Sequence, residues 1–485
     1  MYGPGKSTSQ DDARELSLFG YKQQLKRSMG KFSSFAISFS LISVITGIFA
    51  NFTFGLQQVG GLLVWSWLLV GVGQFFVALV MADLSTRFPI SGYGYQWTSR
   101  LANPHLGYFV GWLLLMQFIT GFPGVCQAMA NTLYGMSGAE ANSWTVTWIT
   151  VIIISLITMI HLLGIRWVSF VNDTGVFAEI IGVLIIILFL GGAWLFAGDL
   201  NFKHLFDNIN TIREESSGFS AFALSLVVGA WCMTGFEAAA DLAEETHQPR
   251  KIVPRSVISS QVTAAIAGFL MLVIFILSMD DIQYYLGLEN PIVSIIETNL
   301  GTTLSTLIGI IVLMSIFACG VASMATATRL MYSMARDNIL PLSGYLKRVH
   351  PRYKTPQLAT VLVWALACIF VISIRHLELI TSISAVAAYL GYSGIMYATL
   401  RSNKLTEKAK GFSLSSFRKP VQWISLLWTL LVVAALTIPE NRVAGMQETH
   451  LPAKSTLIAL ILGIFVYLVF IRSRIISGAA GPPKN

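Results

Sequence analysis

Ile45-Thr46-Gly47-Ile48-Phe49-Ala50 and Met233-Thr234-Gly235-Phe236-Glu237-Ala238 decide how this chain is read. Each carries a Thr-Gly pair in the middle of a long apolar segment, and four further apolar segments separate them. Glycine weakens a helix interior by about 1 kcal/mol relative to alanine. A helix that unwinds inside hydrocarbon must pair its freed N–H and C=O groups or turn them toward a polar cavity. Two such interruptions at corresponding places in two halves of a chain point to a site where backbone groups meet a ligand at mid-depth.

The surroundings of the two stretches are those of a membrane protein. Of 485 residues, 54% are hydrophobic and only 12% charged, with a mean hydropathy of +0.67. Soluble domains are about 25% charged. Apolar runs of bilayer-spanning length predict twelve transmembrane helices, at 33–56, 62–82, 106–134, 144–163, 174–197, 219–240, 256–279, 303–334, 357–373, 377–400, 421–438 and 454–472. The third and eighth are long enough to tilt strongly or to project from the bilayer.

The net charge of +8 is a topology signal rather than a nucleic-acid signal. With an even number of spans both termini share one side. If that side is cytoplasmic, the inside segments hold 27 Lys and Arg, and the outside loops hold five: Lys203, Arg213, Arg375, Arg442 and Lys454. The positive-inside rule then fixes the orientation, with both termini cytoplasmic. Contact with anionic lipid follows secondarily. Residues before the first span are polar, so that span is expected to act as the targeting element.

No soluble domain is expected. The sequence holds no GxxxxGK[ST], no HExxH and no GxSxG, so neither a nucleotide-driven pump nor a hydrolase has a motif behind it. Cys126, Cys232, Cys319 and Cys368 lie inside spans without CxxC spacing and read as small core residues. No metal or cofactor is expected. A secondary transporter, a channel and a receptor remain, and no filter motif or signalling domain favours the last two.

Five spans followed by five would place the Thr-Gly pairs at equivalent positions of two inverted repeats, since an odd count flips the second. The expected organisation is a cytoplasmic segment 1–32 and a core 33–400 with repeats 33–197 and 219–400. A loop 401–420, accessory helices 421–472 and a cytoplasmic tail 473–485 follow.

Three motifs resemble the amino acid–polyamine–organocation permeases. They are Thr234-Gly235-Phe236-Glu237-Ala238-Ala239-Ala240 with Glu244-Glu245 and Pro254-Arg255; the run Ala327 to Asn338 with Leu340-Pro341 and His350-Pro351-Arg352; and Ala82-Asp83-Leu84 with Arg87-Phe88-Pro89 and Ser91-Gly92-Tyr93-Gly94-Tyr95. Phe35-Ala36-Ile37-Ser38-Phe39-Ser40 is most similar to the amino acid–choline transporter branch, which includes carriers of 4-aminobutyrate and choline. The resemblance implies the inverted-repeat fold of the bacterial leucine transporter, with helices one and six broken. It also implies a permease of the cell membrane rather than an enzyme, importing an amino acid or related amine by proton coupling or exchange. A choline, ethanolamine or polyamine carrier is the alternative. The oligomeric state stays open.

A broken helix offers N–H groups to a carboxylate and carbonyls to an ammonium, so a zwitterion matches both. The expected substrate-binding residues are Ser43, Thr46 and Gly47 at the first break. At the second they are Trp231, Thr234, Gly235, Phe236 and Glu237. Ser43 stands where many relatives place glycine. By resemblance Phe236 is an aromatic gate, and Glu237 is expected to hydrogen-bond the unwound backbone. Glu179 lies seven residues after Asn172, where some proton-coupled relatives place a lysine in lieu of sodium. A buried carboxyl there is the expected coupling group. Asp83, Arg87, Arg329 and Arg336 are expected to form a cytoplasmic gate network, the two last sharing a helix face.

Overall fold

The computed structural model describes residues 6–137, 142–197, 202–207, 218–288, 290–405, 411–439 and 450–483. Among these the protein is helical, with one isolated parallel bridge between Met29 and Thr246. Helix α1 (Lys6–Ser17) precedes the membrane region. Then come α2 (Lys31–Ile42), α3 (Val44–Val59), α4 (Leu63–Arg87), α5 (Tyr93–Leu101), α6 (Pro104–Ser137), α7 (Ser143–Leu163) and α8 (Ile165–Ile185). The second half holds α9 (Gly218–Cys232), α10 (Ala238–Asp241), α11 (Pro249–Leu277), α12 (Thr302–Arg336), α13 (Gln357–Ser373) and α14 (Leu377–Arg401). Two more, α15 (Arg418–Thr437) and α16 (Leu451–Val466), close the chain.

Among the described residues nine helical stretches are long and apolar enough to cross a bilayer, and α9 and α13 are shorter apolar helices. The chain is a polytopic membrane protein. The first stretch, Lys31–Arg87, contains α2, α3 and α4, turning at Gly60, whose φ of 61° suits a residue without Cβ. Arg213 and Arg442, two of the five basic residues expected outside, fall outside the described residues.

Packing follows the apolar pattern. α4 lies along α11, α6 against α12 and α14, α8 against α12, and α3 against α9. These helices bury small and polar residues that would be costly in lipid, among them Asn51, Gln74, Gln117, Glu179 and Gln261. α7 and α16 instead leave Trp148, Ile152, Leu156, Met159, Ile461 and Phe465 exposed, as a lipid-facing rim requires. Pro123 lies inside α6, where it has no N–H to give the Ile119 carbonyl. α8 begins at Ile165, ahead of the span expected from residue 174; Arg166, Asn172 and Asp173 dilute the apolar pattern and so mask its first turns in the sequence.

Candidate functional site

The first break is narrower than the sequence suggests. One residue, Ser43, separates α2 from α3, with φ 37° and ψ 88°. Its hydroxyl accepts the Thr46 N–H at 3.3 Å, a helix N-cap, and lies 2.6 Å from the Thr46 hydroxyl. Thr46 and Gly47 are therefore already helical, a correction to the unwound stretch expected around them. Gly47 is needed for packing. A Cβ there would stand 2.4 Å from both Cβ and Sγ of Cys232 on α9.

The last carbonyls of α2 meet thiols. Cys319 donates to the Leu41 carbonyl at 3.5 Å, and Cys232 donates to those of Ile42 and Ser43 at 3.5 and 3.7 Å. The two cysteines thus do more than fill space. Thiols are weak donors, so these carbonyls remain good acceptors.

The second break runs from Met233 to Glu237, between α9 and α10. Gly235 sits at φ 102°, which only glycine adopts readily. Its N–H donates to Glu237 Oε2 at 3.0 Å. Glu237 Oε1 accepts from the Tyr392 hydroxyl at 2.7 Å and lies 3.4 Å from Gln117 Nε2 and 3.5 Å from the Tyr93 hydroxyl. Gln74 donates to the Met233 carbonyl at 2.9 Å. Ser38 on α2 donates to the Phe236 carbonyl at 2.8 Å and accepts the Ala239 N–H at 2.9 Å, tying the two broken helices together.

A cavity of about 30 Å³ lies where the breaks meet. Thr46, Trp231, Thr234 and Gly235 line it, together with Leu41 and Ile42. Ser43, Gly47, Phe236 and Glu237, also expected at the ligand, are not among its lining residues. Phe236 is fully buried, its ring centroid 6.0 Å from that of Tyr392, and so packs behind the lining rather than over it. Farther along α6, Gln127, Tyr134, Arg375, His376 and Glu378 surround a vestibule of about 280 Å³ at the face opposite the N-terminal segment.

Glu179 projects from α8 toward the start of α3. Its carboxyl faces Ser43, Val44 and Ile45 at the break and Ser315 of α12. It is 1% exposed, and Oε1 has no partner of its own.

The expected gate residues form two separate sets. Asp83 pairs with Arg87 at 3.2 Å and with Arg418 at 3.1 Å, linking α4 to α15. Arg329 pairs with Glu245 at 2.9 Å, and Arg336 grips both oxygens of Glu244 at 3.0 Å. The single network of Asp83, Arg87, Arg329 and Arg336 is thus corrected, since each arginine finds its own carboxylate. The N-terminal segment crosses this second set. Arg336 lies 3.7 Å over the Tyr21 ring, whose hydroxyl donates to Asp337, and Ser28 and Met29 give their N–H groups to the Glu245 carbonyl. Burial pushes the Asp337 carboxyl up, against the pull of Arg336. Burial and the Asp337 charge push the Tyr21 hydroxyl up.

Sequence reasoning missed Gln117, Phe118, Phe122, Cys232, Cys319, Ser323 and Ser384 in the cavity wall. Gln117 could have been found as an amide inside an apolar run. The others are ordinary for membrane helices and carry no signal.

A family model described as amino acid permease matches residues 29–470. An amino-acid permease BAT1 of Arabidopsis thaliana is 26% identical, over 87% of this chain and 88% of that protein. A BAT1 homolog of Oryza sativa is 27% identical, over 90% and 89%. The thiamine transporter thi9 of Schizosaccharomyces pombe is 22% identical, over 89% and 81%. In fold the chain resembles a crystal structure of a manganese transporter mutant of Eremococcus coleocola. The TM-score is 0.55 over 90% of this chain and 92% of that one, at 12% identity, a likeness of fold alone.

Proposed function

Because the chain belongs to the amino acid permease family, and is thus a membrane transporter rather than an enzyme, we propose that it imports a small amine-bearing solute, an amino acid or a relative such as 4-aminobutyrate, across the plasma membrane by alternating access. In this reading twelve helices cross the bilayer, counting α2 with α3 and α9 with α10 as the broken first and sixth. Two inverted five-helix repeats enclose the site, α15 and α16 are accessory, and both termini are cytoplasmic. The face closed by Arg329, Arg336 and the N-terminal segment is then the inner one, and the vestibule is the outer mouth. One observation carries the reading: Thr46 from one break and Trp231, Thr234 and Gly235 from the other line one cavity. At about 30 Å³ it must widen to take a solute, with Trp231 and Phe122 the bulky side chains able to swing aside.

Glu179 is the proposed proton carrier. It faces the start of α3 and Ser315 of α12, and one of its oxygens lacks a partner. Protonation there would loosen the hold of α8 on α3. The test is uptake into proteoliposomes of labelled amino acids, with and without an inward proton gradient. Saturable, gradient-stimulated uptake is expected, and its absence for every amino acid and amine tried would overturn the reading. Glu179→Gln keeps the side chain's size but cannot titrate. It should abolish accumulation and its pH dependence while sparing exchange of internal for external substrate. Wild-type accumulation in that variant would return Glu179 to a structural role. The thiamine transporter among the relatives favours a second reading, carriage of an organic cation without a carboxylate.

A further inference from the structure

We infer that a groove between α4 and α11 binds a sterol-like lipid, a flat apolar body carrying one hydroxyl, and that this ligand bears on the second helix break. The groove encloses about 290 Å³ and shares no lining residue with the central cavity or the vestibule. Leu68, Val72, Ile266 and Leu270 line it and remain exposed in the middle of two membrane-crossing stretches, so it opens toward hydrocarbon. Only what dissolves in the bilayer reaches such a place. Among the described residues no charged side chain lines it.

One polar side chain does line it. Gln261 is 0% exposed, its Oε1 has no partner, and its Nε2 meets only the Met233 Sδ, a weak acceptor, at 3.6 Å. A buried amide oxygen left unpaired is costly. An ammonium would satisfy it but does not partition into hydrocarbon, whereas a neutral hydroxyl does both. Gln261 also fixes the ligand's direction. α11 starts beside the N-terminal segment, where the Gln248 N–H meets Asp12 and Arg250 pairs with Glu15. Gln261 lies at that end of the groove, and the apolar lining continues to Leu270, about 14 Å farther along the helix. This layout suits a lipid with its hydroxyl toward one membrane face and its body toward the midplane. The floor is made of small residues, since a Cβ on Gly71 would stand 3.2 Å from the Ala265 Cβ. A flat body can lie against it.

The floor adjoins the break. Met233 begins the break, and its Cε and Sδ would lie 3.7 and 3.8 Å from that same Gly71 Cβ. Its carbonyl accepts from Gln74 Nε2 at 2.9 Å. A hydroxyl that fixes Gln261 therefore steadies the side chain from which the unwound stretch starts.

The test uses the purified full chain in phosphatidylcholine nanodiscs with a photoactivatable cholesterol. Labelled peptides should fall within residues 68–76 and 261–270. Unlabelled cholesterol should compete at least about tenfold more strongly than cholestane, which lacks the hydroxyl. Gln261→Leu keeps the bulk and removes the acceptor, so cholesterol should compete about tenfold more weakly there while cholestane is unchanged. Ala265→Phe fills the floor and should abolish the labelling, and Gln261→Leu decides the matter if the bulkier variant does not fold. Cholesterol should also raise the melting temperature of the parent and not that of Gln261→Leu. Cholestane competing as well as cholesterol would mean an acyl-chain groove, and a dimeric chain left unlabelled there would mean that a second copy covers it. Either result overturns the inference, as does labelling confined to other helices or unchanged by Gln261→Leu.

Discussion

Ser43 holds a left-handed backbone conformation that costs a residue with a Cβ about 1–2 kcal/mol. Its cap bond to the Thr46 N–H offsets about 1 kcal/mol of this. Ser43→Gly removes the strain and loses the cap, and a glycine N-cap is only a few tenths of a kcal/mol worse. The variant should melt no lower than the parent. Ser43→Ala keeps the strain and loses the cap, so it should be about 1 kcal/mol less stable, read from thermal unfolding in detergent. The same residue shows what the sequence hides at this scale. The Thr-Gly pair marked both breaks, yet it does so for different physical reasons. Gly235 is glycine because its backbone sits at φ 102°, whereas Gly47 is glycine because Cys232 leaves no room for a Cβ. The contact with a distant helix is carried by no local pattern, and a Cβ at Gly235 would likewise meet Leu41 of α2 at 2.6 Å.

Between elements, that contact can be tested by exchange. Gly47→Ala pushes α3 off α9 against a Cys232 Cβ that would be 2.4 Å away, and overpacking of this kind costs about 1–3 kcal/mol. Cys232→Gly in the same chain restores the space. The double variant should therefore melt above Gly47→Ala, with a coupling of about 1 kcal/mol or more in a double-mutant cycle. Additive losses would mean that Gly47 serves something other than this contact. Helix positions were readable because apolar runs of bilayer length have few alternatives. The N-terminal ends of α8 and the polar helices α1 and α5 were not, since they are held by contacts rather than by hydrophobic pattern. Arg100 of α5, for example, donates to the Phe19 carbonyl, and Arg250 of α11 pairs with Glu15 of α1 at 3.1 Å.

For the molecule as a whole, the decisive question is which charged pairs hold one face shut. Motif resemblance put Asp83, Arg87, Arg329 and Arg336 in one group, because it marks the residues but not their partners. Their partners separate them. Arg336 joins the end of α12 to Glu244, just after the second break, and the N-terminal segment lies across the pair. Asp83 joins α4 to α15 instead. Breaking a buried pair from one side strands the other charge at a cost of about 3–5 kcal/mol. Glu244 has no exposed side-chain surface, so Arg336→Gln should incur much of that cost wherever the face is closed and little where it is open. A bias of about 3 kcal/mol changes an open-to-closed ratio about a hundredfold. Cys232 lines the cavity and reports that change. Its alkylation by a reagent supplied on the N-terminal side should rise at least about tenfold in Arg336→Gln. In Arg87→Gln it should stay at the parental rate, because Arg418 still neutralises Asp83. Equal labelling in both variants would mean that the Arg336–Glu244 pair anchors the helix end without gating it. Faster labelling in Arg87→Gln would return Asp83 and Arg87 to the gate.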